Sequence, residues 1–394
     1  MNRRDLLKLA AAAPLALSPL RLYAAPGGGR LLVVFMRGAY DAANLLVPHA
    51  SSFYYEARPN IAIPRPGPAA NAAIPLDAEW ALHPALRASL LPLYQKGELA
   101  FVPFAGTDNL TRSHFETQDS IELGQALNGT RNYQSGFLNR LSAVLSKGAS
   151  PIAFTDQLPV TFRGDAQVPN IGLRQLAKPG VDARQSAVIA EMYRNTPLAS
   201  QVNEGFSARE TVMQELSADM EAASRNALTA RGFELEARRI ARLMRERYNL
   251  GFVDVGGWDT HVGQGGAEGY LANRLEELGR GIAAFAEGMG PAWGDTVVVV
   301  ISEFGRTFRE NGNRGTDHGH GSVYWVLGGG IRGGRIAGEQ VAIQAGTLNQ
   351  NRDYPVLNEY RAVFGGLFAR MYGLDAAQVE RVFAGVKAKD LGLV

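Results

Sequence analysis

The chain has 394 residues, 46% apolar, 20% charged and 9% aromatic, a composition that supports a large buried core and excludes disordered, collagen-like and low-complexity classes. Its net charge of +2 belongs to the leader. Residues 1–24 hold Arg3, Arg4, Lys8 and Arg21 against Asp5, and removing them from 40 basic and 38 acidic residues leaves 36 and 37, so no net field steers the chain to nucleic acid. With no cysteine, disulfides, thiolate metal sites and cysteine nucleophiles are excluded, and any metal must be held by His, carboxylate or hydroxyl groups.

In chain order, Asn2-Arg3-Arg4-Asp5-Leu6-Leu7-Lys8 leads into the apolar stretch Leu9 to Leu17 and then Leu22-Tyr23-Ala24, the pattern of a twin-arginine export signal over residues 1–24. A nine-residue run containing Pro14 is too short for the roughly 30 Å of bilayer hydrocarbon. The expectation is a periplasmic or secreted protein without a transmembrane segment in its mature part, partnered by the twin-arginine translocase during export. Beyond the glycine-rich residues 26–29, Arg30 to Met36 is a continuous apolar run of the kind buried on both faces of a sheet. Similar runs recur at Leu99 to Phe104, Gly251 to Val255, Thr296 to Ile301 and Val323 to Leu327, with helical patterns from about Ala208 to Tyr248 and from Ala267 to Glu287. This alternation predicts one α/β domain over residues 30–394, a mainly parallel sheet covered by helices on both sides. Residues 56–76, with five prolines, are expected to form a surface excursion.

In such sheets ligands gather beyond the carboxyl ends of strands, and the polar residues of this chain gather there. Asp41 follows the first run, Thr111-Arg112-Ser113-His114 the second, Gly256-Gly257-Trp258-Asp259-Thr260-His261 the third, and Glu303 with Arg306 the fourth; Asp317-His318-Gly319-His320 precedes the fifth. Four of the six histidines fall in these segments. Taken singly, each residue has a plainer role: an Asp after a strand is most often a cap or turn residue, Thr111 or Ser113 can cap a helix starting near Phe115, and His83 before Pro84 suits a hydrogen bond to a helix start. Asp259 and His261, one residue apart, can reach one centre only if the backbone bends, which Gly256-Gly257 permits. Three good ligands within four residues at 317–320 cost solvation unless a metal or partners satisfy them.

These types suit hydrolysis of a phosphate or sulfate ester, which requires neutralised oxygens, an activated hydroxyl and a stabilised leaving group. The expected metal ligands are Asp41, Asp259, His261, Glu303, Asp317, His318 and His320, enough for one complete site and part of a second. Ser113 is the expected attacking hydroxyl, with His114 and Arg306 as further catalytic residues and Arg306 positioned for an oxyanion. Zinc, manganese or similar ions fit mixed oxygen and imidazole ligands, and calcium fits if the histidines do not bind. The substrate is expected to be a small-molecule or glycan ester, with no nucleic acid partner.

The leader, Arg37-Gly38-Ala39-Tyr40-Asp41, Thr111-Arg112-Ser113-His114-Phe115, Gly256 to His261, Ser302-Glu303-Phe304-Gly305-Arg306-Thr307 and Asp317-His318-Gly319-His320-Gly321 together resemble the exported bacterial family catalogued as domain of unknown function 1501. That family in turn resembles the alkaline phosphatase and sulfatase superfamily. The resemblance implies a three-layer α/β/α sandwich of alkaline phosphatase type and a metal-dependent hydrolase or phosphomutase ancestry, with Asp41 at the first metal-binding aspartate and Ser113 at the nucleophile position. The chain departs from the superfamily pattern in two places. Gly257, not an aspartate, stands four residues before His261, and Glu303-Phe304 replaces a strand-ending aspartate-histidine pair. The Glu303-Phe304 replacement motivates an alternative, a non-catalytic protein binding an envelope polysaccharide or partner through a degenerate hydrolase site.

Overall fold

A computed structural model describes residues 28–173, 183–206 and 232–394. The predicted signal at 1–24 and most of the helical pattern before Gly232 lie outside these residues. Among the described residues the strands are β1 (Arg30–Met36), β2 (Leu46–Val47), β3 (Ile74–Pro75), β4 (Ala81–Leu82), β5 (Leu99–Gly106), β6 (Pro151–Ala153), β7 (Leu250–Val255), β8 (Thr296–Ser302), β9 (Ser322–Leu327), β10 (Arg335–Ile336) and β11 (Asn358–Glu359). The principal helices are α1 (His114–Leu123), α2 (Phe137–Leu145), α3 (Phe233–Glu246), α4 (Tyr270–Met289), α5 (Tyr360–Tyr372) and α6 (Ala376–Val382).

The central sheet has the order β10-β5-β9-β8-β1-β7-β6, with β11 also paired to β5. All pairings are parallel except those of β9, which runs antiparallel to both β5 and β8. The five apolar runs are thus the five longest strands of a mainly parallel sheet. Alternate residues of β1 feed two cores, because successive side chains point to opposite faces. Leu32, Val34 and Met36 join a cluster containing Phe233, Ile240, Leu275 and Phe285 of α3 and α4. Leu31, Val33 and Phe35 join one containing Phe137, Leu141, Phe364 and Val382 of α2, α5 and α6. This is the three-layer α/β/α arrangement. No helix among the described residues is long and apolar enough to cross a membrane.

The proline-rich stretch is a surface excursion only in part: residues 64, 65 and 67–71 are exposed. Arg58, Ile61, Ile63 and residues 72–74 are buried, and β3 pairs with β4, which pairs with β2, in a small antiparallel sheet. Prolines bar a long strand but not burial of the apolar residues between them. Helix α4 starts at Tyr270, later than the helical pattern predicts, because Gly265 and Gly269 take positive φ and form a turn first.

His83 accepts a hydrogen bond from the Ala85 amide at its Nδ1, 3.0 Å, and its Nε2 donates to the Gly266 carbonyl, 3.1 Å, the helix-start role its sequence context predicts. Burial lowers this imidazole from 6.5 to about 4. A histidine depressed in the folded state binds its proton more readily when unfolded, so its contribution is complete above pH 6.5 and lost as pH falls toward 4. The expected loss is about 3 kcal/mol. Urea denaturation of wild type and His83→Gln across that window should show a steeper fall for wild type; parallel curves would refute the buried neutral imidazole.

Candidate metal centre

The sheet geometry explains why distant segments meet. β1, β5, β7 and β8 run in one direction, and the ends of β1, β7 and β8 are in register, Met36 facing Ser302 on one side and Val255 on the other. The loops after these strands therefore leave from one rim. Because β9 runs the opposite way, the residues before it reach that same rim, and they are Asp317 to Gly321. Gly38, at φ +119°, makes room at the rim: a Cβ there would lie 2.8 Å from the Asp259 backbone nitrogen, and its own N–H donates to Glu303 Oε1 at 2.8 Å. Gly319 likewise lets the 305–307 and 317–320 segments pair closely, since a Cβ would sit 2.4 Å from the Arg306 backbone.

Three imidazoles converge in this space. The Nε2 atoms of His114 and His318 are 2.9 Å apart, and those of His261 and His318 are 3.1 Å apart. Asp259 stands beside them, Oδ1 at 3.0 Å from His261 Nε2 and 3.6 Å from His318 Nε2, and Oδ2 at 3.7 Å from His114 Nε2. Each ring is held from behind at Nδ1: His114 by Glu303 Oε1 at 2.7 Å, His261 by Asp317 Oδ1 at 3.1 Å, and His318 by the Arg112 carbonyl at 2.9 Å. Carboxylates and a carbonyl accept only, so they favour the proton on Nδ1 of His114 and His318 and an Nε2 lone pair toward the gap; His261 has a carboxylate at each nitrogen, Asp317 at Nδ1 and Asp259 at Nε2. Burial, with His114 nearby, holds His318 below the usual imidazole range.

The carboxylates behind the rings are ionised. Burial alone raises Glu303, but hydrogen bonds from His114, Gln118 and the Gly38 amide outweigh it and hold the carboxyl low. For Asp259 burial is outweighed by the Arg306 hydrogen bond and charge, and for Asp317 by hydrogen bonds from Asn311 and His261. Phe304, buried, packs against the rings of His114 and His318 at 4.9 and 5.3 Å. The gap itself is open on one side: Asp259 and His261 side chains are 46% and 40% exposed.

His114, Asp259 and His318, from three loops, present donor atoms that all lie within 4.8 Å of one another, a spacing that a small divalent ion spans with imidazole bonds of about 2.0–2.1 Å; His261 stands beside His318 and Asp259, and the hydrogen bonds behind the rings are those that metal-binding histidines make. The residues present fit such an ion.

The structure distributes the expected site residues into four roles. Asp259, His261 and His318 face the gap, joined by His114, which sequence reasoning had given a catalytic role. Glu303 and Asp317 orient histidines instead of facing the gap. Arg306 does not reach for an oxyanion, because its buried guanidinium is committed to Asp259 Oδ1 at 2.7 Å and to Thr316 at 3.2 Å (Oγ1) and 2.6 Å (carbonyl). Asp41 and His320 are engaged elsewhere. Asp41, 1% exposed, is gripped by both terminal nitrogens of Arg58, at 2.5 and 3.0 Å, and by Gln264 at 2.6 Å. The Gln264 carbonyl accepts from Thr260 and Thr316 at 3.0 and 3.1 Å, so Asp41 underpins the two loops that bear His261 and His318. His320, buried, interacts with Asp353 and hydrogen-bonds to the Asn109 backbone. Ser113 is the N-cap residue of α1, half-buried, with no side-chain capping bond.

Arg58, Gln264, Gln118 and the Arg112 carbonyl carry no local signature and were missed; only the burial of Arg58 inside a proline-rich stretch marks it, and burial is not visible in sequence.

A mainly parallel α/β sandwich with a histidine-carboxylate cluster on the carboxyl rim of its sheet is the class this fold and site define. The chain belongs to the family described as "Protein of unknown function (DUF1501)", which it matches over residues 29–383. No curated protein matches it. Among solved structures it is similar to a protein of the alkaline phosphatase superfamily from Vibrio parahaemolyticus, at 12% identity and a TM-score of 0.42, over 92% of this chain and 69% of that one. It is also similar to Ps i-CgsB in complex with k-i-k-neocarrahexaose, at 8% identity and a TM-score of 0.39, over 92% and 75%. Likenesses this distant do not bear on the chemistry.

Removing the Arg58 guanidinium should leave Asp41 as an uncompensated buried charge. Arg58→Met is expected to cost about 3–5 kcal/mol in chemical denaturation; a loss under about 1 kcal/mol would mean that the pair does not carry the buried charge balance.

Proposed function

We propose that this chain is an exported hydrolase of a phosphate or sulfate ester that works with one divalent transition-metal ion, held by His114, His261, His318 and Asp259. The observation that carries the reading is the approach of the His114 and His261 Nε2 atoms to that of His318, at 2.9 and 3.1 Å, with an acceptor at each Nδ1 and the donor atoms of His114, Asp259 and His318 all within 4.8 Å of one another. Three imidazoles favour zinc, manganese or a related ion over calcium, which takes oxygen ligands. A second ion finds no support, since Asp41 and His320 are engaged elsewhere.

When bound, such an ion polarises an ester oxygen and lowers the pKa of a coordinated hydroxyl or water. The chain's own residues supply the rest. Ser113 directly precedes His114 and its hydroxyl is not used as a cap, which leaves it available as the attacking group. Helix α1 begins at the cluster, and its first-turn amides, without a side-chain cap, favour negative charge there. Arg306 holds Asp259 in place, and Glu303 and Asp317 orient His114 and His261 from behind. The ester is carried by a small molecule or a glycan, and the twin-arginine pattern of residues 1–24 supports delivery to the periplasm or beyond.

One observation favours a second reading, a non-catalytic binder of envelope polysaccharide: the Arg306 guanidinium is spent on Asp259 and Thr316, so the expected oxyanion clamp is lacking.

Elemental analysis of protein purified without added metal should find about one equivalent of a transition metal per chain, lost in His318→Ala. Turnover of chromogenic phosphate or sulfate esters should vanish with chelation, and Ser113→Ala should reduce kcat on the order of 10³-fold or more. Folded, metal-free protein would sink the metal centre. Metal-replete protein that binds glycans but turns over no ester would favour the second reading.

A further inference from the structure

His318 differs from the other two histidines at the gap. His114 and His261 are oriented by carboxylate side chains, which swing into place on their own torsions. His318 is oriented by a main-chain carbonyl, that of Arg112, and a carbonyl points only where its backbone sends it. Among the described residues Arg112 is one of seven non-glycine residues with positive φ, at +53°, a conformation that side-chain-bearing residues avoid unless their surroundings impose it.

What imposes it is visible. Arg112 Nε and Nη2 both lie 3.0 Å from Asp353 Oδ2, and Nη2 is 3.0 Å from Gln350 Oε1. Asp353 is fully buried, with Oδ1 accepting from Asn349 Nδ2 at 3.0 Å. Burial pushes the Asp353 carboxyl up and Arg112 opposes the shift. The same turn supplies Arg352, whose Nη2 donates to the His318 carbonyl at 3.1 Å, and Gln350 and Asn351 also take positive φ, +53° and +54°. Three strained residues and a buried carboxylate therefore meet where His318 is held.

We propose that Arg112 is a positioning residue: its ion pair with Asp353 pins its backbone in the left-handed region, so that its carbonyl accepts a hydrogen bond from the Nδ1–H of His318 and aims that ring's Nε2 at the gap. The role rests on the metal-centre reading above, and loss of the carbonyl contact would let the ring turn or change tautomer and withdraw one donor.

The test uses the full chain and Co²⁺ alone, titrated by its visible absorption, with wild type, Arg112→Ala, Arg112→Gly and Asp353→Asn. Alanine keeps the penalty of positive φ without the anchor, whereas glycine adopts positive φ freely. Arg112→Ala and Asp353→Asn should weaken Co²⁺ binding about 10–100-fold and alter the band, while Arg112→Gly should stay within about 3-fold of wild type with the same band. Equal weakening by Ala and Gly would mean that the guanidinium acts directly and would overturn the proposal, as would wild-type affinity in all three variants. Wild type that takes up no Co²⁺ would overturn the metal centre itself, a different failure from a Co²⁺-binding wild type with indifferent variants. Should Asp353→Asn fail to fold, the alanine-glycine pair at the partly exposed position 112 still decides.

Discussion

The Nε2 atoms of His114 and His261 each approach that of His318 across about 3 Å, and the opposite nitrogen of each ring is bonded to an acceptor. This arrangement works against its own electrostatics. Lone pairs and an ionised Asp259 crowd one point, and His318 resists protonation. Glu303, Asp317 and the Arg112 carbonyl hold the three rings from behind. The surrounding structure is organised around keeping these nitrogens aimed inward.

The sheet does most of that work. Four parallel strands deliver loops to one rim, but the fourth donor comes from the residues ahead of an antiparallel strand. Had β9 run parallel to its neighbours, Asp317 to His320 would start from the opposite edge. The one exception to the parallel pattern is thus what brings His318 to His114 and His261. Glycines at 38 and 319 then let the loops approach to distances that a Cβ would forbid.

Beneath the rim, charge is balanced internally. Asp41 is neutralised by Arg58, whose Nε also donates to the Phe308 carbonyl at 2.7 Å, and a buried carboxylate so paired has no oxygen left to offer an ion. Through Gln264 that pair braces Thr260 and Thr316, each one residue from a gap-facing or gap-orienting group. A residue expected at the site by resemblance has become part of its foundation. The same holds for Glu303: its added methylene lets it lie behind His114, receiving the Gly38 amide and Gln118, while Phe304 fills the space against the rings.

Much was legible in the primary structure because apolar runs and helical periodicity are local: the five long strands, helix α4 and the α/β class follow from residues read in order, and so does the gathering of Asp259, His261 and His318 near strand ends. Role was not local. Whether His114 acts as acid or donor, whether Asp41 meets a cation from solution or from Arg58, and whether Arg306 is free or committed all depend on side chains tens or hundreds of positions away. The residue types and their nearness to strand ends were written in the chain; which atom each one faces was decided only by the direction of β9, the burial of the proline-rich stretch and the hydrogen bonds that close around it, because pairing energies act through space and not along the backbone.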